Sequence, residues 1–61
     1  MIKKGSKVRY IGSKDIAKDK VFNVLHKSGH FVELIFPCRY LDGSIHGSKT
    51  LIPLKDVEQI D

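Results

Sequence analysis

The stretch from Val21 to Phe36, VFNVLHKSGHFVELIF, constrains the fold more than any other part of the chain. Two runs rich in β-branched and aromatic residues flank Lys27-Ser28-Gly29, the pattern of a β-hairpin. Two registers suit it. A two-residue turn at Ser28-Gly29 pairs Lys27 with His30 and Val24 with Glu33. A three-residue loop, with Gly29 in the left-handed conformation, pairs His26 with His30, Val24 with Val32 and Phe22 with Leu34. The second register gathers Phe22, Val24, Val32, Leu34 and Phe36 on one face and sets Asn23 opposite Glu33 on the other. A slip of one residue exchanges the faces, so the cleaner apolar face favours the three-residue loop. Val21, Leu25, Phe31 and Ile35 are left on the second face, which is too apolar for open solvent. Either the first and last strands curl over it or it is a contact surface. The curl is the expected answer, because a short chain needs the burial.

The chain is short. Its 61 residues make one domain, 1–61, and a fold of that size buries only about 60% of the surface its unfolded chain exposes. Cys38 is the single cysteine, so no internal disulfide can staple the fold and a reducing compartment is expected. The opening MIKKGSKVRY has basic residues without an apolar segment, and no run is long enough to span a bilayer. These features predict a cytoplasmic protein with no membrane partner.

Elsewhere, glycine and polar pairs punctuate short apolar runs: Gly5-Ser6, Gly12-Ser13, Asp42-Gly43-Ser44 and Gly47-Ser48. That is the spacing of strands joined by turns. Lys7 to Ile11 alternates, with Val8 and Tyr10 on one side, and predicts a first strand. SKDIAKDK is a polar loop that can hold one helical turn but no stable helix. Pro37 cannot donate to a central ladder, so it is expected to open a loop running to Lys49. TLI is then a fourth strand, PLKD one tight turn, and VEQI a short fifth strand. The expected fold is all-β, a small five-stranded barrel with one short 3₁₀ turn before the last strand.

The closing IPLKDVEQID, through Ile52, Pro53 and Val57, resembles the end of Src-homology-3-type barrels. There, an Ile-Pro pair, a single 3₁₀ turn and a short Val-containing strand complete a five-stranded sheet. The order of segments along the chain is similar to that SH3-like plan as well. In that family the ligand is a proline-rich helix packed on aromatic ridges. Here Asp56 stands where the family has a ridge tyrosine, there is no tryptophan, and the first-strand tyrosine pair reduces to Tyr10. Those departures argue against proline-peptide recognition. The chain is more similar to the wider small-barrel group, including KOW and Tudor-like types, and that resemblance implies loops that contact RNA, DNA or proteins.

Charge is unevenly distributed. Residues 1–30 carry eight basic side chains against Asp15 and Asp19, and residues 31–61 carry three against five acidic ones. Lys14, Lys18 and Lys20 fall in the first long loop, Lys27 near the hairpin tip, and Arg39 beside Tyr40. If these loops converge, charge and a stacking ring provide the two ingredients of single-strand nucleic-acid binding. The alternative is a solvated surface whose field Asp15 and Asp19 partly cancel.

Other chemistries find less support. His26, His30, Cys38 and His46 supply four ligand types for zinc, and the chosen register sets His26 beside His30, but the paired spacing of structural zinc sites is missing. No metal or other cofactor is therefore expected. Cys38 beside Arg39 lacks the orienting group and pocket that a nucleophile needs. GSIHGSKT carries Gly-Ser-Lys-Thr without the spacing of a phosphate-binding loop. No catalytic residue is assigned, and no enzyme is expected. Tyr10, Phe31, Ile35 and Tyr40 are the candidate residues for protein contact, where aromatic side chains contribute much of the affinity. The expected role is a non-catalytic module that binds a larger protein partner, or a second copy of itself as a homodimer. The alternative is a nucleic-acid-binding barrel using Lys14, Lys18, Lys20, Lys27, Arg39 and Tyr40.

Overall fold

The computed structural model describes residues 1–60, and these form two three-stranded antiparallel sheets. The strands are β1 (Lys7–Tyr10), β2 (Val21–Asn23), β3 (His26–Ser28), β4 (Phe31–Arg39), β5 (Ile45–Pro53) and β6 (Val57–Gln59). One sheet has the order β2-β1-β6 and the other β3-β4-β5. Short 3₁₀ turns at Asp15–Ala17 and Leu54–Asp56 interrupt the strands. The described residues are all-β, as expected, but they form six strands rather than five. Among the described residues no helix is long and apolar enough to cross a membrane.

The sixth strand arises inside the hairpin. His26 pairs with Glu33, Lys27 with Val32 and Ser28 with Phe31, so the loop is the two residues Gly29-His30. Neither expected register occurs, and His26 does not face His30. Gly29 has φ +59, the left-handed value that the first position of such a turn demands and that glycine adopts without a Cβ penalty. A second adjustment follows at Leu25. Its N–H donates to the Glu33 carbonyl at 2.9 Å, the same residue that His26 pairs with. Two residues therefore oppose one, which is a β-bulge. The even-length turn alone would have thrown Val24 to the outside, and the extra residue restores it. Beyond the bulge Phe22 meets Phe36, with ring centroids 5.6 Å apart.

The core face expected from the sequence is thus real, although its pairing is shifted. Val24, Val32, Leu34 and Phe36 are buried together with Val8, Tyr10, Ala17, Ile52 and Val57, and Phe22 packs against them. Tyr10 meets Phe36 edge-on at 5.0 Å, a geometry that adds about 0.5–1.5 kcal/mol beyond area burial. Burial dominates the balance. Each fully buried aliphatic side chain contributes about 1.5–3 kcal/mol. The exposed Arg9–Glu58 ion pair across β1 and β6, 2.9 Å long, contributes about 0.2–1 kcal/mol. Ser6, the one buried polar residue among those described, accepts from the Lys3 N–H through its hydroxyl.

The expected curl over the second face does not occur. Val21, Phe31 and Ile35 are each about half exposed, Ile35 at 48%. Nor does Pro37 open a loop, because β4 runs on to Arg39 with Pro37 paired to Gly47. The reason lies in β3, which ends its pairing at Glu33. The Glu33 carbonyl points toward β3, and so by alternation do the backbone polar groups of Ile35, Pro37 and Arg39. The N–H that Pro37 lacks belongs on this open side, where no strand needs it. Since residues 37–49 were expected as a loop, β5 is also longer than TLI, and the β4–β5 ribbon projects from the body. The molecule is 38 Å long and only 18 by 17 Å across.

Side chains only one position apart should therefore respond differently to truncation. Leu34→Ala empties a fully buried site and should cost about 2–5 kcal/mol in urea unfolding followed by circular dichroism. Ile35→Ala, on the outer face, should cost about 1 kcal/mol or less. Equal losses would refute this assignment of faces.

Candidate functional site

An open cleft of about 820 Å³ lies where the ribbon leaves the body. Lys14, Asp15 and Ile16 of the first loop form one wall. Phe36, Pro37, Cys38 and Arg39 of β4, with Thr50, Leu51, Ile52 and Pro53 of β5, form the other, and Tyr10 and Asp56 lie between. The sequence builds these walls locally. The first loop is pinned at its base, where Tyr10 donates its N–H to the Lys20 carbonyl and Asp19, at φ +63, donates to the Tyr10 carbonyl. Buried Ala17 plugs the loop into the core beside β4. The Ile11 N–H donates to the Asp56 carbonyl at 2.8 Å, fixing the second 3₁₀ turn against the loop. Gly12 lies against the Tyr10 ring edge, where any Cβ would collide with the phenol.

The lining is mixed in character. Ile16, Pro37 and Pro53 supply apolar surface, Lys14 and Arg39 positive charge, and Asp15 and Asp56 negative charge. Both signs at one site suit a segment with alternating character better than a uniform polyanion, since each acidic group repels phosphate. Tyr10 is buried, so it supports the cleft from within and is not an exposed contact residue. Phe31, Ile35 and Tyr40 are exposed but are not part of the cleft lining.

The basic candidates do not form one rim. Lys14 and Arg39 share the cleft. Lys27 pairs opposite Val32, seven positions along β4 from Arg39, or about 23 Å at strand rise. Lys18 and Lys20 follow the first 3₁₀ turn at the base of the loop. The candidate metal ligands are likewise separated. Cys38 pairs directly with His46, while His26 pairs with Glu33 five positions away, about 16 Å along the strand. Among the described residues no three histidine, cysteine or acidic side chains gather as a metal site.

The ribbon tip holds an arrangement that the sequence reading did not single out. Tyr40, Leu41, Asp42 and Gly43 form a tight turn, with Gly43 at φ +87 and its N–H on the Tyr40 carbonyl. Asp42 Oδ1 accepts from the Ser44 hydroxyl at 2.6 Å and from the Ser44 N–H at 2.9 Å. Ser44 Oγ lies 2.9 Å from His46 Nε2, and the His46 ring meets Tyr40 edge-on at 4.6 Å. A hydroxyl has a single proton, and here it goes to the carboxylate, so His46 Nε2 must be the donor to Ser44. The trio orders the ribbon tip, with the Asp42 carboxylate accepting from both the Ser44 hydroxyl and its N–H. Asp-Gly-Ser was legible as a turn signal. The contribution of His46 was not, since it depends on the β5 register.

Comparison of the chain with protein-family models, curated proteins and solved structures finds no match in any of the three.

The tip predicts a titration. The Ser44 hydroxyl, and then the Ser44 N–H, hold Asp42 below its ordinary value of 3.8. A depressed carboxyl stabilises the fold above the unfolded value and loses that contribution as pH falls through the folded one. Carbon-detected NMR should place the Asp42 midpoint below 3.8, and Ser44→Ala should move it back upward. An unchanged midpoint in that variant would contradict the hydroxyl contact.

Proposed function

We propose that this chain is a non-catalytic, SH3-like binding module that holds an extended segment of a larger protein partner in the cleft between the first loop and the ribbon. One observation carries the reading: apolar Ile16, Pro37 and Pro53 lie there beside charges of both signs, Lys14 and Arg39 against Asp15 and Asp56. Ligand-binding clefts combine apolar surface with a few placed polar groups. Supporting the barrel is the strand order, in which β2 and β3 act as one strand bent at Leu25 and shared by both sheets. Counted that way, the strands number five. With Asp56 in place of an aromatic ridge, the partner segment is charged and apolar in alternation rather than proline-rich.

A nucleic-acid reading retains one specific support. Lys14 and Arg39 border the same cleft, and Tyr40, half exposed, follows Arg39 directly. The two readings separate in an NMR titration of labelled protein. Peptides selected from a random display library should shift the amide resonances of Lys14, Ile16, Arg39 and Asp56, and Ile16→Asp should weaken them at least tenfold. Single-stranded oligonucleotides at low salt should leave those resonances in place. Oligonucleotide binding that shifts Lys14, Arg39 and Tyr40 and weakens steeply with salt would replace the first reading with the second.

A further inference from the structure

The outward face of the β4–β5 ribbon is complementary to itself. Its residues alternate with buried Val32, Leu34 and Phe36, so β4 presents Phe31, Glu33, Ile35, Pro37 and Arg39 in order. Fully exposed Leu41 at the tip lies beyond them. From the midpoint between Ile35 and Pro37, the pattern in either direction is apolar, charged, apolar, and the two charges are opposite. The β5 partners fit the same symmetry. Leu51 stands beside Glu33 and Ile45 beside Arg39, while Lys49 and Gly47 flank the midpoint. Ile35 leans over Gly47, where an added Cβ would come within 2.6 Å of its Cγ2. Phe31, Ile35, Ile45 and Leu51 are 44–56% exposed, an apolar area that water covers poorly.

We infer that a second copy of this chain docks face to face on this ribbon, with Glu33 of each copy against Arg39 of the other. A two-fold axis parallel to the sheet, midway between the two faces and running across the strands at the midpoint, produces that pairing, and a self-pairing patch is what such symmetry requires. The same rotation sets Ile35 on Pro37 and Leu51 on Ile45, brings Lys49 opposite Gly47, and directs Phe31 toward Leu41. Stacked sheets lie about 10 Å apart and differ by about 30° in strand direction, which the twist of the ribbon allows. The face is about 33 Å long at strand rise but only two strands wide, so the contact falls at the small end of specific interfaces. Association is therefore weak, in the micromolar range or above. The face shares Pro37, Arg39 and Leu51 with the lining of the proposed cleft, and the inference does not depend on that reading.

Sedimentation equilibrium of the full chain from micromolar to millimolar concentration tests it. The wild type should dimerise. Glu33→Arg and Arg39→Glu should each weaken self-association at least tenfold. A mixture of these two variants should recover it, because each of the two contacts in the heterodimer then joins one basic and one acidic side chain. Ile35→Asp should give a monomer whose thermal melt stays cooperative. Isotope-filtered NMR on the wild type needs no variant and should show contacts between Phe31 of one copy and Leu41 of the other. A wild-type monomer throughout, a dimer indifferent to both charge reversals, or a mixture that stays monomeric would overturn the inference, and a monomer would leave the face to a foreign protein. Cleft binding is read separately at Ile16, so either result can fail alone.

Discussion

The two-against-one pairing of Leu25 and His26 with Glu33 is the contact on which the remaining structure depends. A two-residue turn and an unbroken ladder would put Val24 on the solvent side, with Phe22 following it. Inserting one unpaired residue restores both to the core and bends the chain as it does so. The bend has a second effect. It releases β2 to pair with β1 while β3 stays with β4, so one continuous run of residues contributes to both sheets. The cost of one unpaired ladder position is offset by burying Val24 and bringing Phe22 onto Phe36.

The short β3 also explains the shape. Beyond Glu33, β4 has a partner on one side only, and its open edge carries Pro37. A proline there discourages the addition of a further strand, the usual hazard of a long free edge. The ribbon is then held by its own ladder, by the tip turn and by packing at its base. Isolated two-stranded ribbons are marginal in water. The Asp42–Ser44–His46 contacts and the Tyr40 ring on His46 close the far end that the core does not reach. Apolar side chains on the outside of such a ribbon have nothing of this chain to cover them.

How much of this was legible in the sequence follows from the range of each interaction. The core face of Phe22, Val24, Val32, Leu34 and Phe36 could be read because alternation is local and survives a shift of two residues. The pairing could not, since turn and bulge compensate each other and leave the alternation unchanged. Ile52-Pro53 marked the second 3₁₀ turn, and Val57 the strand after it. Pro37 misled, because its effect depends on whether β3 extends alongside it, which is set by the bulge twelve residues earlier. For the site, Lys14 and Arg39 were chosen for charge, but Asp15, Ile16, Pro53 and Asp56 become neighbours only when the loop closes against the 3₁₀ turn. Exposure of Phe31, Ile35 and Tyr40 against burial of Tyr10 depended on the same tertiary contacts.

The register of residues 22–36 is the quantity to measure, through side-chain NOEs in uniformly labelled protein. The account predicts Phe22 ring contacts with the Phe36 ring, Val24 methyl contacts with Leu34, and no proximity between the His26 and His30 rings. Contacts of Phe22 with Leu34 and of Val24 with Val32, with His26 beside His30, would mean an unbulged hairpin and would contradict the structure at its base.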